Sequence, residues 1–271
     1  MRPRARKRFG QHFLEPAWVQ KVVRAIDPRS DETFVEIGPG AGALTLPLAA
    51  RAEAVVAIEI DRDLAPALAA KAPANVQVIQ GDFLAGPFAL RGAGSRHSTL
   101  RVVGNLPYNV ASPILFHLVD LYSAGVPWRD ATVMLQREVA DRLTAKPGTH
   151  EYGVLTLLVG RRASIELLLT LPPGAFRPAP KVQSALVRLR FHPPDPIGRD
   201  ERVFASLVKS AFTRRRKTML NALRAFEPAA GVTPEDALAR AGLDARRRPE
   251  TLTMAEWVAL ADVYAVAAAV L

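Results

Sequence analysis

Five short runs rich in Val and Ile punctuate the first half of the chain: TFVEIG (33–38), AVVAIEI (54–60), VQVIQ (76–80), LRVVGN (100–105) and ATVMLQ (131–136). Between them lie ALTLPLAARA, RDLAPALAAKA and SPILFHLVDLYSAG, which carry helical patterning. Near-continuous apolar strands separated by helices are what a sheet buried on both faces requires, so the alternation predicts an α/β fold with a doubly wound parallel sheet. A helical stretch near 152–162 is followed by SIELLLTL (164–171) and SALVRLRF (184–191), two strands in succession that predict an antiparallel closure of one edge.

The Pro-rich, aperiodic stretch FHPPDPIGRD (191–200) predicts a boundary between a domain at 1–192 and a small all-α domain at 200–271. In the latter, Val203, Phe204, Leu207, Val208, Ala211 and Phe212 fall at helical spacing. Thr233-Pro234 reads as an N-cap with Pro at the first helical position, and Thr253-x-x-Glu256 as a capping box.

With 49% hydrophobic side chains in 271 residues, a sizeable core can form. The absence of cysteine excludes disulfides, thiol nucleophiles and thiolate metal sites, and the five His show no ligand spacing, so no metal is expected. No run approaches the length of a membrane span, and the N-terminal stretch lacks the apolar segment of a signal peptide, so a cytoplasmic protein is expected. The net charge is +10, and the first 24 residues hold seven basic side chains against one acidic. A polyanionic partner follows by phosphate contact and counterion release, with Arg4, Arg6, Lys7, Arg8 and the run Arg214, Arg215, Arg216, Lys217 as candidate contacts.

VEIGPGAG places Gly38, Gly40 and Gly42 at the end of the first strand, where a glycine turn lets backbone approach a ligand ahead of a helix N-terminus. Glu59 closes the second strand and Asp82 the third. An acid at the former position can accept from ribose hydroxyls, and one at the latter from an adenine amino group. A glycine turn and two acids at successive strand ends describe a nucleoside site, compatible with either NAD or S-adenosylmethionine.

The fourth strand end decides between them. Asn105, Leu106, Pro107 and Tyr108 resemble the motif of amino-group methyltransferases that use S-adenosylmethionine. An exocyclic amine conjugated to a ring is a poor nucleophile and must be held and oriented for in-line attack. The Asn105 side-chain carbonyl and the Leu106 backbone carbonyl can accept from its hydrogens and stabilise the positive charge growing on nitrogen. Pro107 fixes the turn, and Tyr108 can stack on the base. The product amine loses its proton to water, so no general base is needed.

Taken in order, RKRFGQHFL (6–14), VEIGPGAGALT (35–45), AIEIDRDL (57–64), GDFL (81–84), GNLPYNVASPILFHL (104–118), MLQREVADRL (134–143), FRPAPKVQSALVRL (176–189) and AFTRRRKTMLNAL (211–223) resemble the KsgA/RsmA family of ribosomal RNA adenine dimethyltransferases. The resemblance implies a Rossmann-like S-adenosylmethionine-dependent methyltransferase sheet with an antiparallel edge and a helical C-terminal domain that contacts RNA. It implies dimethylation at N6 of two adjacent adenosines in the 3′-terminal hairpin of small-subunit (16S) rRNA, on the immature small ribosomal subunit; a monomer is expected. His12 and Leu14, with Gly38, Gly40, Glu59, Asp82 and Asn105, would line the cofactor site; relatives often carry Asn at the position of His12. Phe176 would face Tyr108 as a second aromatic wall around the base. A 23S rRNA methyltransferase of the macrolide-resistance type, a non-catalytic assembly factor and an NAD-dependent oxidoreductase are the alternatives.

Overall fold

The computed structural model describes residues 12–86, 99–226 and 231–268. The chain divides into two compact units, one formed by Met1–Ala140 with Ser164–Phe191, the other by Asp141–Ala163 with His192–Leu271.

The first unit opens with β1 (Phe13–Leu14) and α1 (Pro16–Ile26), followed by β2 (Thr33–Ile37), α2 (Thr45–Ala49), β3 (Ala54–Glu59), α3 (Leu64–Ala69) and β4 (Val76–Gln80). After these come β5 (Leu100–Asn105), α4 (Ala111–Ser123) and β6 (Trp128–Gln136). Helices α5 (Arg137–Leu143) and α6 (Val154–Gly160) precede β7 (Ala163–Leu171), β8 (Phe176–Arg177) and β9 (Ser184–Phe191). Seven strands form one sheet in the order β4-β3-β2-β5-β6-β9-β7, and β1 pairs with β8. Neighbours from β4 through β6 run parallel, and β9 runs antiparallel to β6. The expected antiparallel edge is present. The later of the two strands, β9, lies inside and the earlier, β7, lies at the rim. β2 is buried at every position, whereas β4, at the other rim, is half-exposed, because an edge strand has a neighbour on one side only.

This order has one functional consequence. The chain winds outward from β2 in one direction through β3 and β4, and in the other through β5 and β6, so the strand order reverses between β2 and β5. Ligands of such sheets sit beyond the carboxyl ends of the strands at that reversal. Ile37 pairs with Gly104 there, so the glycine turn after β2 and the Asn105 turn after β5 are neighbours. Gly104 is required by this packing: a Cβ on it would lie 2.7 Å from the Ile37 carbonyl oxygen.

The opposite end of the sheet carries a buried charge network that the run LRVVGN conceals. Arg101 donates from Nη1 to Glu32 at 2.7 Å, from Nε to both Asp130 oxygens at 3.1 Å, and from Nη2 to the Ile26 carbonyl at 2.9 Å. Arg188 donates to the Ala25 carbonyl at 2.6 Å. Both arginines thus satisfy the last carbonyls of α1, which no intrahelical donor can reach.

The second unit contains α6, α7 (Glu201–Thr213), α8 (Met219–Leu223), α9 (Pro234–Arg240) and α10 (Met254–Ala268). Phe204, Leu207, Val208 and Ala211 of α7 are buried with Trp257, Leu260 and Tyr264 of α10, the helical spacing read from sequence. The caps form as expected. Thr233 accepts from the Asp236 amide, and Thr253 and Glu256 exchange hydrogen bonds as a capping box. Residues 141–163 join this unit, a grouping that a linear division at 192–200 does not contain. The Tyr152 hydroxyl donates to the Leu252 carbonyl at 2.8 Å, and Arg161 pairs with Glu201 while covering the Phe204 ring.

Candidate active site

At the strand-order reversal a cavity is lined by Leu14, Glu36, Gly40, Glu59, Asn105 and Tyr108, among others. A second cavity, lined by Asp82, Phe83, Asn109 and Ile114, shares Gly38, Ile60 and Pro107 with the first.

The glycine turn takes backbone angles that side chains disfavour: φ is +68° at Gly38 and +58° at Gly40. The Gly40 amide donates to Glu59 Oε2 at 2.8 Å, and the Asp61 amide to Oε1 at 2.9 Å. Glu59 therefore fastens the turn to the end of β3 and keeps further acceptor capacity on both oxygens for hydroxyl donors. Burial raises its pKa above the ordinary range, and the Asp61 and Gly40 amides oppose the shift. Asp82 stands exposed two residues beyond β4, its carboxylate accepting from the Leu84 amide at 3.0 Å. Beside it Ile60 is 45% exposed, a large apolar side chain set between the two cavities, where a flat heterocycle would cover it.

Glu36 is the site residue that the sequence does not announce, because Val35 and Ile37 make it look like part of a buried strand. Its side chain is buried and lines the first cavity, and Oε2 has no hydrogen-bond partner among the described residues. Burial, opposed by the neighbouring Thr45 hydroxyl and reinforced by the Glu59 charge, pushes its pKa up to about 7. A buried carboxylate oxygen without a partner is costly unless a donor or cation arrives. S-adenosylmethionine carries a cationic ammonium, an adenine for the Ile60 face and a ribose for Glu59, so the residues present fit it.

The turn after β5 is held at both ends. The Leu106 amide donates to the Met134 carbonyl of β6 at 3.2 Å, and the Val110 amide to the Pro107 carbonyl at 3.1 Å. Asn105 Nδ2 donates to the His12 carbonyl at 2.6 Å. A carbonyl can only accept, so the amide nitrogen must face it, which leaves Oδ1 to accept from elsewhere.

The structure brings His12, Leu14, Gly38, Gly40, Glu59, Asn105, Leu106, Pro107 and Tyr108 to the first cavity and Asp82 to the second. It does not bring Phe176 there. That ring is 1% exposed, in a core with Leu14, Met134 and Leu186, because β8 pairs Phe176 with Leu14 on β1. The ring that does face Tyr108 is His12, at 5.4 Å between centroids and 26° between planes. His12 Nδ1 lies 2.7 Å from the Pro178 carbonyl, so that nitrogen carries the hydrogen.

Arg4, Arg6, Lys7 and Arg8 lie outside the described residues. In the second unit, Arg214, Arg216 and Lys217 are exposed around a depression that also includes Asn221 and Arg224. Arg215 lines the same depression while pairing with Glu250 at 3.2 Å and donating to the His150 carbonyl at 3.0 Å.

Comparison with known proteins identifies the family. The family described as "Ribosomal RNA adenine dimethylase" matches residues 2–265. Ribosomal RNA small subunit methyltransferase A of Acinetobacter baylyi is 43% identical over 263 residues, covering 96% of this chain and 92% of that protein. The protein of the same name from Laribacter hongkongensis is 45% identical over 260 residues, covering 95% of each. Among solved structures, a dimethyladenosine transferase from Plasmodium falciparum shares the fold at TM-score 0.73 and 23% identity, over 92% of this chain and 96% of that one. The 23S rRNA methyltransferase ErmE aligns at TM-score 0.63 and 28% identity, over 92% of this chain and 98% of that one. With a Rossmann-like sheet, a site built for an adenosine-bearing methyl donor and a family match over nearly its whole length, the chain belongs to the ribosomal RNA adenine dimethylases.

Proposed function

We propose that this chain dimethylates N6 of two adjacent adenosines in the 3′-terminal hairpin of small-subunit (16S) rRNA, acting as a cytoplasmic monomer on an immature small ribosomal subunit. The observation that carries the chemistry is Asn105. Its amide nitrogen is committed to the His12 carbonyl, so its oxygen is the atom offered to a substrate amine. When bound, S-adenosylmethionine supplies an electrophilic methyl group on a sulfonium.

The chain's own residues do the rest. Asn105 Oδ1 and the Leu106 carbonyl accept from the amine hydrogens, favour a tetrahedral nitrogen and stabilise its developing charge. Tyr108 stacks on the base, a contact worth about 1–3 kcal/mol. A paired adenosine is extruded to reach it. Arg214, Arg216 and Lys217, with Arg4, Arg6, Lys7 and Arg8 of the basic arm, bind RNA phosphates, and the C-terminal helices are the ribosome-facing part of the chain. No helix of the described residues is long and apolar enough to cross a membrane.

Glu36 receives the cationic end of the donor. Its folded pKa of about 7 stands above the ordinary 4.5, so between those two pH values the free protein holds a proton there that the unfolded chain has released. This contribution to stability is complete below pH 4.5 and is lost as pH rises through 7. Donor binding runs the other way, because it needs the carboxylate. Affinity should rise about ten-fold between pH 6 and 7.5. Calorimetry on Glu36→Gln should find the slope flattened; an unchanged slope would remove Glu36 from the donor site.

Mapping methylated nucleotides after incubation with unmodified small subunits tests the substrate. Two adjacent dimethylated adenosines near the 3′ end are expected. Transfer to free large-subunit RNA alone would assign the chain the other specificity, and no transfer to either would make it an assembly factor.

A further inference from the structure

Pro107 fixes the backbone of the substrate turn, but the Tyr108 side chain has two rotatable bonds of its own. A ring that swings is a poor platform, since the base stacked on it must stay aligned with the donor methyl. The far end of that ring is held from outside the motif. Tyr108 Oη lies 2.8 Å from Ser184 Oγ.

Ser184 is itself a fixed point. It is the first residue of β9, is 1% exposed, and stands opposite Gln136 in the antiparallel ladder with β6. The same β6 accepts the Leu106 amide through Met134, so the backbone and the ring of the turn are both referenced to one strand pair. A buried serine hydroxyl requires a partner, and here it has the phenol. Burial raises the Tyr108 pKa, with the Ser184 hydrogen bond opposing, so the phenol stays neutral and able to donate or accept.

We propose that Ser184 is a positioning residue for methyl transfer: its hydroxyl pins the Tyr108 ring at the angle on which the target adenine stacks. The inference rests on the reading of Tyr108 as the stacking platform. Ser184 touches neither base nor donor and acts only through the phenol.

A double-mutant cycle on methyl transfer to unmodified small subunits tests it, with donor affinity and melting temperature measured alongside. Ser184→Ala and Tyr108→Phe each remove one end of the hydrogen bond and keep the ring. Each should lower kcat/KM for the RNA about three- to ten-fold, the worth of one hydrogen bond, with donor affinity unchanged. The double variant should be no slower than the slower single, because both substitutions delete the same interaction. Multiplying losses, or an unaffected Tyr108→Phe enzyme, would overturn the proposal. The latter arm stands even where Ser184→Ala fails to fold. Tyr108→Ala separates this from the underlying reading. If it leaves transfer intact, the stacking platform itself is wrong. If it abolishes transfer while Tyr108→Phe and Ser184→Ala leave kcat/KM unchanged, the platform stands and Ser184 has no part in it.

Discussion

Asn105→Ala should cut turnover at saturating donor by about 100- to 1,000-fold, the range found when one preorganised polar contact to developing transition-state charge is removed. Donor affinity should change far less. The asymmetry follows from what Oδ1 meets. In the ground state the target nitrogen is planar, its lone pair delocalised into the purine. As the methyl arrives the nitrogen becomes tetrahedral and positive, and an acceptor fixed beside it gains strength only then. The fixing is visible in the structure: Nδ2 is tied to the His12 carbonyl, and Gly104 brings the end of β5 against Ile37. Single-turnover methyl transfer together with donor calorimetry gives both numbers. Equal losses in the two would make Asn105 chiefly a donor contact.

Arg101→Leu should destabilise the first unit by about 3–5 kcal/mol, the cost of removing one member of a buried ionic network. Asp130 would lose its two close contacts, and Glu32 would keep the Arg29 amide and Arg129, whose side chain is half in solvent. The last carbonyl of α1 would lose a donor too. Most of the cost is the charge left behind. Replacing Asp130 by Leu in the same molecule should therefore recover part of it, a non-additivity that denaturant unfolding can read. The network sits at the amino ends of β5 and β6, away from the Asn105 turn, so the folded fraction should keep its turnover. A stable Arg101→Leu protein would mean that water or a local shift satisfies both carboxylates.

The contrast between these two residues shows what the sequence could say. Asn105 was legible because a polar residue, a proline and an aromatic ring end an apolar strand for no structural reason. Gly38, Glu59 and Asp82 were legible through their common position at strand ends, and the helical caps through local chemistry confined to four residues. Arg101 and Glu36 were not, because each is one polar residue inside a run of Val and Ile, and its partners come from elsewhere in the chain. Phe176 was misplaced for a similar reason. A Pro-flanked aromatic looks like a loop anchor or a wall, and its pairing partner Leu14 lies far back in sequence. The place of β9 between β6 and β7, and the packing of residues 141–163 with the C-terminal helices, are likewise long-range choices.

The most direct test of the account is the structure of this chain crystallised with S-adenosylmethionine. The sulfonium methyl should point at the space bounded by Asn105 Oδ1, the Leu106 carbonyl and the Tyr108 ring, leaving room for a nitrogen about 3–3.5 Å away. A donor whose methyl faces away from residues 105–108 would contradict it.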